Sequence, residues 1–549
     1  MIRFRRVVQL VCLSLFLFLL TLVSVSGISP LFPEIFLQLD PALMAVSAIG
    51  ARAFLTGLIP AGIVLLSAPL IGRIFCGYVC PMGTTLDGTD RIFAPRKKAY
   101  FFSKTLFRAK YLVLVFLLGA ALFGVSFVFL ASPLSLITRA YGLVLFPVVS
   151  FLSRESLDLI RPVGDLLDMN SIIFAQIRTI RFDTQFFIFF FFVIVAGMVF
   201  FAPRFWCRYL CPSGALFALV SKSPFIRRQV SDGCTQCGKC TRQCPMSAIE
   251  RQTPENTFHS ECIVCRTCQE VCPEQVVSFG RSEKASDPVS ERFSPERRHL
   301  VSTGLIGAGT AVMTLTGLTS LHGKPGDGQV GTPGLVRPPG TLPETRFLAR
   351  CVRCGECMAA CPTNTLQPIW LKAGFPALFS PAVTPRRGFC DPQCLECGRV
   401  CPTGAIRHLD ASDRIWAKVG TATINRQTCL AWEFQKSCMV CDEVCPYDAV
   451  EFVKEENTAV PVPHVLENKC AGCGYCEHFC PVQNRAAIVV TPMDALRFSR
   501  GSYEHEARLK GFDLRLKPQG HHPLSPEIYP ESQPGSAPGF DAAPGFDPE

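Results

Sequence analysis

Histidine is scarce in this 549-residue chain: there are nine, and none precedes His259. A haem b inside a membrane bundle needs axial histidines, so the first 258 residues cannot supply them, and the absence of Cys-x2-Cys-His argues against covalent c-type haem. Charge is thin as well. Asp, Glu, Lys and Arg make up 18% of residues while 49% are hydrophobic, against ~25% charged in soluble domains, which disfavours a wholly soluble or disordered chain. No G-x-G-x-x-G fingerprint opens a strand–helix unit, no catalytic triad pattern appears and no substrate domain is visible, so any activity rests on bound groups. The net charge of +10, from 54 Lys+Arg against 44 Asp+Glu, flanks apolar segments and reads as membrane orientation rather than nucleic-acid binding.

What is present falls into two halves, and the length implies about three to five folding units. Val7–Gly27 is an uncharged run preceded by Arg3, Arg5 and Arg6, the pattern of a span entering from the cytoplasm; a cleaved signal peptide is the rival reading. Three further spans are expected at about Ala53–Phe75, Tyr111–Ala131 and Gln185–Ala202. The basic loop Arg91, Arg96, Lys97, Lys98, Lys104, Arg108 and Lys110 marks the cytoplasmic side. Ser132–Thr184 is then an external loop, with Tyr141–Leu152 either an interfacial helix or a cover packed over the spans.

An internal repeat stands at the ends of the second and fourth spans. Arg73-Ile-Phe-Cys76-Gly-Tyr-Val-Cys80-Pro-Met-Gly matches Arg204-Phe-Trp-Cys207-Arg-Tyr-Leu-Cys211-Pro-Ser-Gly, which points to duplication of a helical hairpin. Cysteines four apart share a helix face, so Cys76, Cys80, Cys207 and Cys211 are candidate redox or metal thiols, with close helix packing as the alternative. Arg73, Arg204, Tyr78 and Tyr209 beside them read as interface anchors. Cys12, alone in the first span, reads as packing.

The rest of the 29 cysteines form six quartets. Cys234, Cys237, Cys240 and Cys244, then Cys262, Cys265, Cys268 and Cys272, follow the bacterial ferredoxin spacing Cys-x2-Cys-x2-Cys-x3-Cys-Pro. In that run three thiolates hold one [4Fe–4S] cluster and the fourth crosses to its neighbour. The crossed sets are therefore Cys234, Cys237, Cys240 with Cys272, and Cys262, Cys265, Cys268 with Cys244. Cys351, Cys354, Cys357 and Cys361 and Cys470, Cys473, Cys476 and Cys480 share that spacing. Cys390, Cys394, Cys397 and Cys401 open one residue wider, and Cys429, Cys438, Cys441 and Cys445 have eight residues between their first two cysteines. The same rule joins Cys351, Cys354, Cys357 with Cys401; Cys390, Cys394, Cys397 with Cys361; Cys429, Cys438, Cys441 with Cys480; and Cys470, Cys473, Cys476 with Cys445. No cysteine remains for a structural disulfide.

The expected fold is an α-helical membrane domain of four spans plus a fifth, carrying α+β bacterial-ferredoxin-like [4Fe–4S] modules. Its parts are the four-span domain (1–220), a cytoplasmic two-cluster module (221–280), a linker (281–298), a fifth span (299–321), a Pro/Gly tether (322–344), a four-cluster polyferredoxin (345–500) and a tail (501–549) disordered from about 518. Arg297-Arg298 before a mild apolar stretch resembles a twin-arginine export signal, here internal and retained. A buried soluble helix is the alternative, and it would leave everything downstream in the cytoplasm.

Residues ~1–280, with their spans, two Cys-x3-Cys-Pro repeats and ferredoxin module, resemble the NapH and MauN membrane ferredoxins. Residues ~297–495, with the Arg-Arg segment, Arg337-Pro-Pro-Gly and Phe347-Leu-Ala-Arg-Cys-Val-Arg-Cys-Gly-Glu-Cys, resemble the exported NapG and MauM ferredoxin-type proteins. The resemblance implies a quinol dehydrogenase component; the six quartets give six [4Fe–4S] clusters, and the histidine placement gives no haem of its own. Quinol from the membrane pool is the implied substrate, and a periplasmic reductase or multihaem cytochrome the implied acceptor, with or without a membrane haem subunit. Two other roles fit the same residues: a redox maturation or reactivation factor for a periplasmic metalloenzyme, as NosR-like ferredoxins suggest, or a cytoplasmic module fed by soluble ferredoxin. Fusion of the halves and the stretched third C-terminal quartet depart from the family pattern.

Overall fold

The computed structural model describes residues 2–23, 34–93, 104–166, 179–281, 297–316 and 335–517. Arg96, Lys97 and Lys98, the linker at 282–296, most of the tether and the tail from 518 lie outside these residues.

The apolar half folds as a helical bundle: α1 (Ile2–Val23), α2 (Pro41–Ala51), α3 (Leu58–Ile71), α4 (Pro81–Phe93), α5 (Ala109–Leu122), α6 (Pro133–Pro162), α7 (Gln185–Gly197) and α8 (Pro212–Val220). Proline opens α2, α4, α6 and α8, where its missing N–H costs no helical hydrogen bond. Asp40 caps α2 through the amides of Ala42 and Leu43, and its carboxylate also accepts from the Ser132 and Ser213 hydroxyls. One buried carboxylate thus ties the starts of α2, α6 and α8 together.

Among the described residues only two helical stretches, Phe4–Val23 and Pro133–Pro162, are long and apolar enough to cross a membrane. The other expected spans are helices of 14 residues (α3), 14 (α5) and 13 (α7), about 21 Å or less at 1.5 Å per residue and short of a ~30 Å hydrocarbon layer. The expected external loop is also corrected. Most of it is α6, capped by Ser132, and a π-helical turn at Tyr141–Leu145 absorbs the hydrogen bond that Pro147 cannot donate. Apolar side chains face outward around the bundle, among them Ile63 and Leu66 on α3, Phe186 and Phe190 on α7, and Leu10 and Val11 on α1.

The segment expected as a fifth span is helical as α9 (Arg297–Leu315) but is not among the two stretches long and apolar enough to cross, and it runs opposite to the expected direction. Gly304 meets Gly119 and Gly307 meets Phe116 backbone to backbone, so α9 lies antiparallel to α5. Its arginine-bearing start points toward the end of α5 where Ser126 meets the C-terminal domain.

Two α+β regions flank the bundle. In the first, β1 (Ile226–Val230) pairs antiparallel with β2 (Val277–Arg281), closing the chain around two short cysteine-bearing helices. In the C-terminal domain β3 (Leu366–Pro368) pairs with β4 (Pro381–Val383), β5 (Thr421–Ile424) with β8 (Ile488–Thr491), and β6 (Val450–Val453) with β7 (Val462–Val465), all antiparallel. This domain extends beyond 345–500 at both ends. Arg337, placed in the tether by composition, is buried and ion-paired to Glu344, and Tyr503 and Leu514 from the expected tail are fully buried.

Candidate iron–sulfur sites

The chain builds its cysteine loops from backbone handedness. In each of the four regularly spaced quartets a left-handed residue stands on either side of the second cysteine: Gln236 and Gly238, Val264 and Arg266, Arg353 and Gly355, Gly472 and Gly474. Alternating handedness turns successive N–H groups to one side, making a nest for negative charge. The nest reaches the sulfurs: Val264 N–H bonds Cys262 and Tyr475 N–H bonds Cys473. A second left-handed turn follows the proline that ends each of the six quartets, at Ser247, Gln275, Asn364, Gly404, Asp448 and Asn484. It sends the chain back across the sulfurs, so that Ala248 N–H meets Cys244 at 3.3 Å and Ala449 N–H meets Cys445 at 3.4 Å.

Four clefts of about 340–400 Å³ lie where these loops face one another. Each is lined by three cysteines of one quartet and the last of its neighbour: Cys262, Cys265, Cys268 and Cys244; Cys351, Cys354, Cys357 and Cys401; Cys429, Cys438, Cys441 and Cys480; Cys470, Cys473, Cys476 and Cys445. Cys361 lies within electrostatic reach of Cys390, Cys394 and Cys397. In the remaining set Cys240 and Cys272 share a small core with Val277, and Cys237 is at the surface. Among the described residues no three His, Cys, Asp or Glu side chains converge on a single metal ion. Thiols standing around an apolar cleft suit a cluster, where a lone zinc needs four sulfurs at about 2.3 Å. Burial pushes the bare thiols up, Cys394 and Cys441 each to about 12, so taking up iron must displace their protons.

The Cys390 loop is built differently. Its extra residue gives an Asp391-Pro392 turn, with the Asp391 carboxylate accepting from Gln393 N–H at 2.8 Å, and none of residues 390–397 is left-handed. Glu396 N–H still bonds Cys394, and buried Arg414 adds charged donors. It donates to Cys390 Sγ at 3.1 Å, to the Cys394 carbonyl at 2.9 Å and to the Asp391 carbonyl at 2.6 Å. Arg228 reaches Cys240 Sγ at 3.7 Å in the first module. Neither arginine is flagged by any motif.

In each region one cysteine loop packs directly on the bundle. Glu261, next to Cys262, accepts from Arg73 at 3.0 Å and from Lys110 at 2.5 Å, all three buried, and Tyr78 donates to the Val264 carbonyl at 3.1 Å. The Ile263 carbonyl packs so closely on Gly77 that a Cβ there would approach it to 2.5 Å. At the other end Ser135 donates to the Val352 carbonyl at 2.7 Å, Arg353 to the Ser126 carbonyl at 2.9 Å, and Leu143 packs on Gly355. Helix α1 connects the two ends: Arg5 bonds the Gly77 carbonyl, and Val23 packs on Ala359 and Val400. Eighteen residues at 1.5 Å each separate them by about 27 Å.

The repeated cysteine pairs do not share a helix face as expected. Cys76 lies in a π-helical turn and Cys207 in a short helix, while Cys80 and Cys211 stand in extended backbone just before Pro81 and Pro212, because each proline forces a break in front of it. Arg73 and Arg204, read as interface anchors, are instead fully buried.

Models of known families match most of these segments: a 4Fe-4S binding domain at 53–99 and again at 184–231, a 4Fe-4S dicluster domain at 226–273 and another at 436–484, and a 4Fe-4S binding domain at 347–367. The methylamine utilization ferredoxin-type protein MauM of Methylorubrum extorquens is 34% identical over 217 residues, 38% of this chain and 94% of that protein. MauM of Paracoccus denitrificans is 41% identical over 167 residues, 29% and 72% respectively. The ferredoxin-type protein NapG of Escherichia coli is 34% identical over 187 residues, 32% and 78%. No solved structure matches.

Proposed function

The chain belongs to the MauM and NapG ferredoxin-type family, and on that premise we propose that it is a membrane-bound quinol dehydrogenase component with six [4Fe–4S] clusters. The observation that carries this reading is the pair of docked loops at opposite ends of α1, about one hydrocarbon thickness apart. The outward apolar side chains of α1, α3 and α7 support placing the bundle in lipid, since a soluble surface rarely presents so broad an apolar face. On this reading residues 1–220 form the membrane domain in the cytoplasmic membrane of a bacterium. The first module then faces the cytoplasm and the C-terminal polyferredoxin the periplasm.

When bound, the clusters supply one-electron chemistry. The protein's part is to hold and order them. The six crossed cysteine sets are the ligands we propose, and their contacts give an order. The Cys351 set faces the bundle, and the Cys390 set is adjacent through Cys357 and Cys397. The Cys470 set is joined by the Cys390 N–H to Cys473 carbonyl bond at 2.8 Å, and the Cys429 set is last. Quinol gives two electrons and two protons, so an acceptor built from such a series takes the electrons singly and passes them to a periplasmic reductase or cytochrome.

The test uses the full chain purified anaerobically with its clusters oxidised. Adding a reduced quinone analogue should reduce a substantial share of the clusters seen by EPR in a dithionite control. No reduction, with the clusters present, would sink the quinol reading and leave the maturation role.

A further inference from the structure

Each family match over the membrane repeats contains only two cysteines, Cys76 and Cys80 in 53–99, Cys207 and Cys211 in 184–231. Neither can hold a cluster alone. The fold brings the two pairs together. Cys80 lies within electrostatic reach of Cys76 and Cys207, and Cys211 within reach of Cys207 and Cys76, with Cys80, Cys207 and Cys211 buried.

The repeats also exchange their arginines. Arg204 donates to the Cys76 carbonyl at 3.0 Å and the Gly83 carbonyl at 3.1 Å. Arg73 lies against Gly214, where a Cβ would come within 2.7 Å of its guanidinium and 3.3 Å of the Cys207 carbonyl. A Cβ on Gly83 would meet Arg204 and the Cys76 carbonyl in the same way, at 3.4 Å and 2.8 Å. Cys80 (φ −62°, ψ 116°) and Cys211 (φ −66°, ψ 115°) have matching backbones, each at the N-terminus of a helix, α4 and α8. Gly214 N–H donates to Cys211 Sγ at 3.2 Å.

Polar groups beside the thiols are left without partners. Buried Arg73 Nε and Trp206 Nε1 have no hydrogen-bond partner, and Arg73 lies within reach of Cys76 and Cys211. Around the thiols, Asp87 is shared by Arg5 and Arg204, and Glu261 by Arg73 and Lys110. Asp40 lies near Cys80, and Asp90 accepts from Arg204 N–H at 2.9 Å.

We propose that Cys76, Cys80, Cys207 and Cys211 together hold a seventh iron–sulfur cluster, half of its ligands from each repeat. Cys76 packs against Ile263 and Cys265, so the site adjoins the Cys262 set and extends that series into the bundle. The inference rests on the iron–sulfur reading of the chain, not on quinol oxidation.

The test is iron and acid-labile sulfide per chain in the anaerobically purified full-length protein. Six ferredoxin clusters account for about 24 iron, and a seventh adds about two to four. The Cys207→Ser, Cys211→Ser double variant should lose that increment with matching sulfide and keep the ferredoxin EPR signals. Equal iron in both proteins, or loss of one zinc instead, overturns the proposal. If the variant does not accumulate, the wild type answers alone, by alkylating the native chain before and after iron chelation and mapping the peptides. Labelling of all four cysteines only after chelation supports the site. Labelling that chelation does not change, or a disulfide among them, overturns it.

Discussion

The Cys351 and Cys390 loops are neighbours in one domain and hold their thiols by different means. The first surrounds its middle cysteine with left-handed Arg353 and Gly355 and presents backbone amides. The second has no such residues and brings in the guanidinium of Arg414, from a helix some twenty residues downstream. A one-residue change in spacing therefore goes with one remote, charged donor at Cys390, while Cys394 keeps a local amide donor, Glu396 N–H. Cysteine spacing fixes which thiols meet; the donors around them are chosen separately. Charge-assisted hydrogen bonds are roughly twice as strong as neutral ones, so the two loops should hold their groups at different potentials.

The most severe way to break this comparison is to spoil a nest. Gly472→Ala puts a Cβ 2.5 Å from the Gly420 carbonyl at a φ of +75°, and neither backbone can yield cheaply. We expect loss of one cluster, about four iron per chain by metal analysis, with the Cys390 set intact.

Next in size is release of the first module. Glu261→Gln leaves Arg73 and Lys110 buried with a weaker partner; breaking such a buried pair costs about 3–5 kcal/mol. Limited proteolysis should then cleave residues 221–281 away from the bundle at protease levels the wild type resists, while the C-terminal domain stays whole. Equal resistance would show that the two docking ends do not depend on their own polar contacts.

Arg414→Met sharpens the comparison without removing a ligand. Losing the cationic donor at Cys390 should lower the potential of one cluster by about 60 mV or more, the tenfold step for one electron, in an EPR-monitored titration. Arg414→Lys should recover part of the shift, because the charge returns without the fork of donors. An unchanged titration would mean that Arg414 only packs. The smallest effect is expected at Gln236, an exposed left-handed residue in a nest. Gln236→Gly relieves its backbone but loosens the unfolded chain, so chemical denaturation should move by less than about 1 kcal/mol.

Much of this was legible in the sequence. The Cys-x2-Cys-x2-Cys-x3-Cys-Pro spacing names the crossed sets because short loops leave the sulfurs few partners, and four of those sets line clefts in the fold. The nests were half visible: Gly238, Gly355, Gly472 and Gly474 mark left-handed positions, whereas Gln236, Val264, Arg266 and Arg353 occupy the same conformation with side chains that give no sign of it. Arg414, Glu261 and Lys110 were invisible because their partners are 20 to 188 residues away. The bundle misled most. Hydropathy counts apolar residues whether or not they stay helical, so runs broken at Gly72 and Phe123 read as full spans although their helices end there. Position in sequence likewise could not show that α9 packs antiparallel on α5 through glycines.

On the proposed function, electrons from quinol reach the C-terminal cysteine sets on the far side of the bundle. The most direct test is the full chain in proteoliposomes containing quinol, with orientation fixed by protease access to the C-terminal domain and an impermeant one-electron oxidant on one side only. We expect the oxidant to be consumed when it shares a compartment with the polyferredoxin, at a rate that falls on loss of the Cys351 set. Consumption only on the side of the first module, or on neither side with all clusters present, would contradict it.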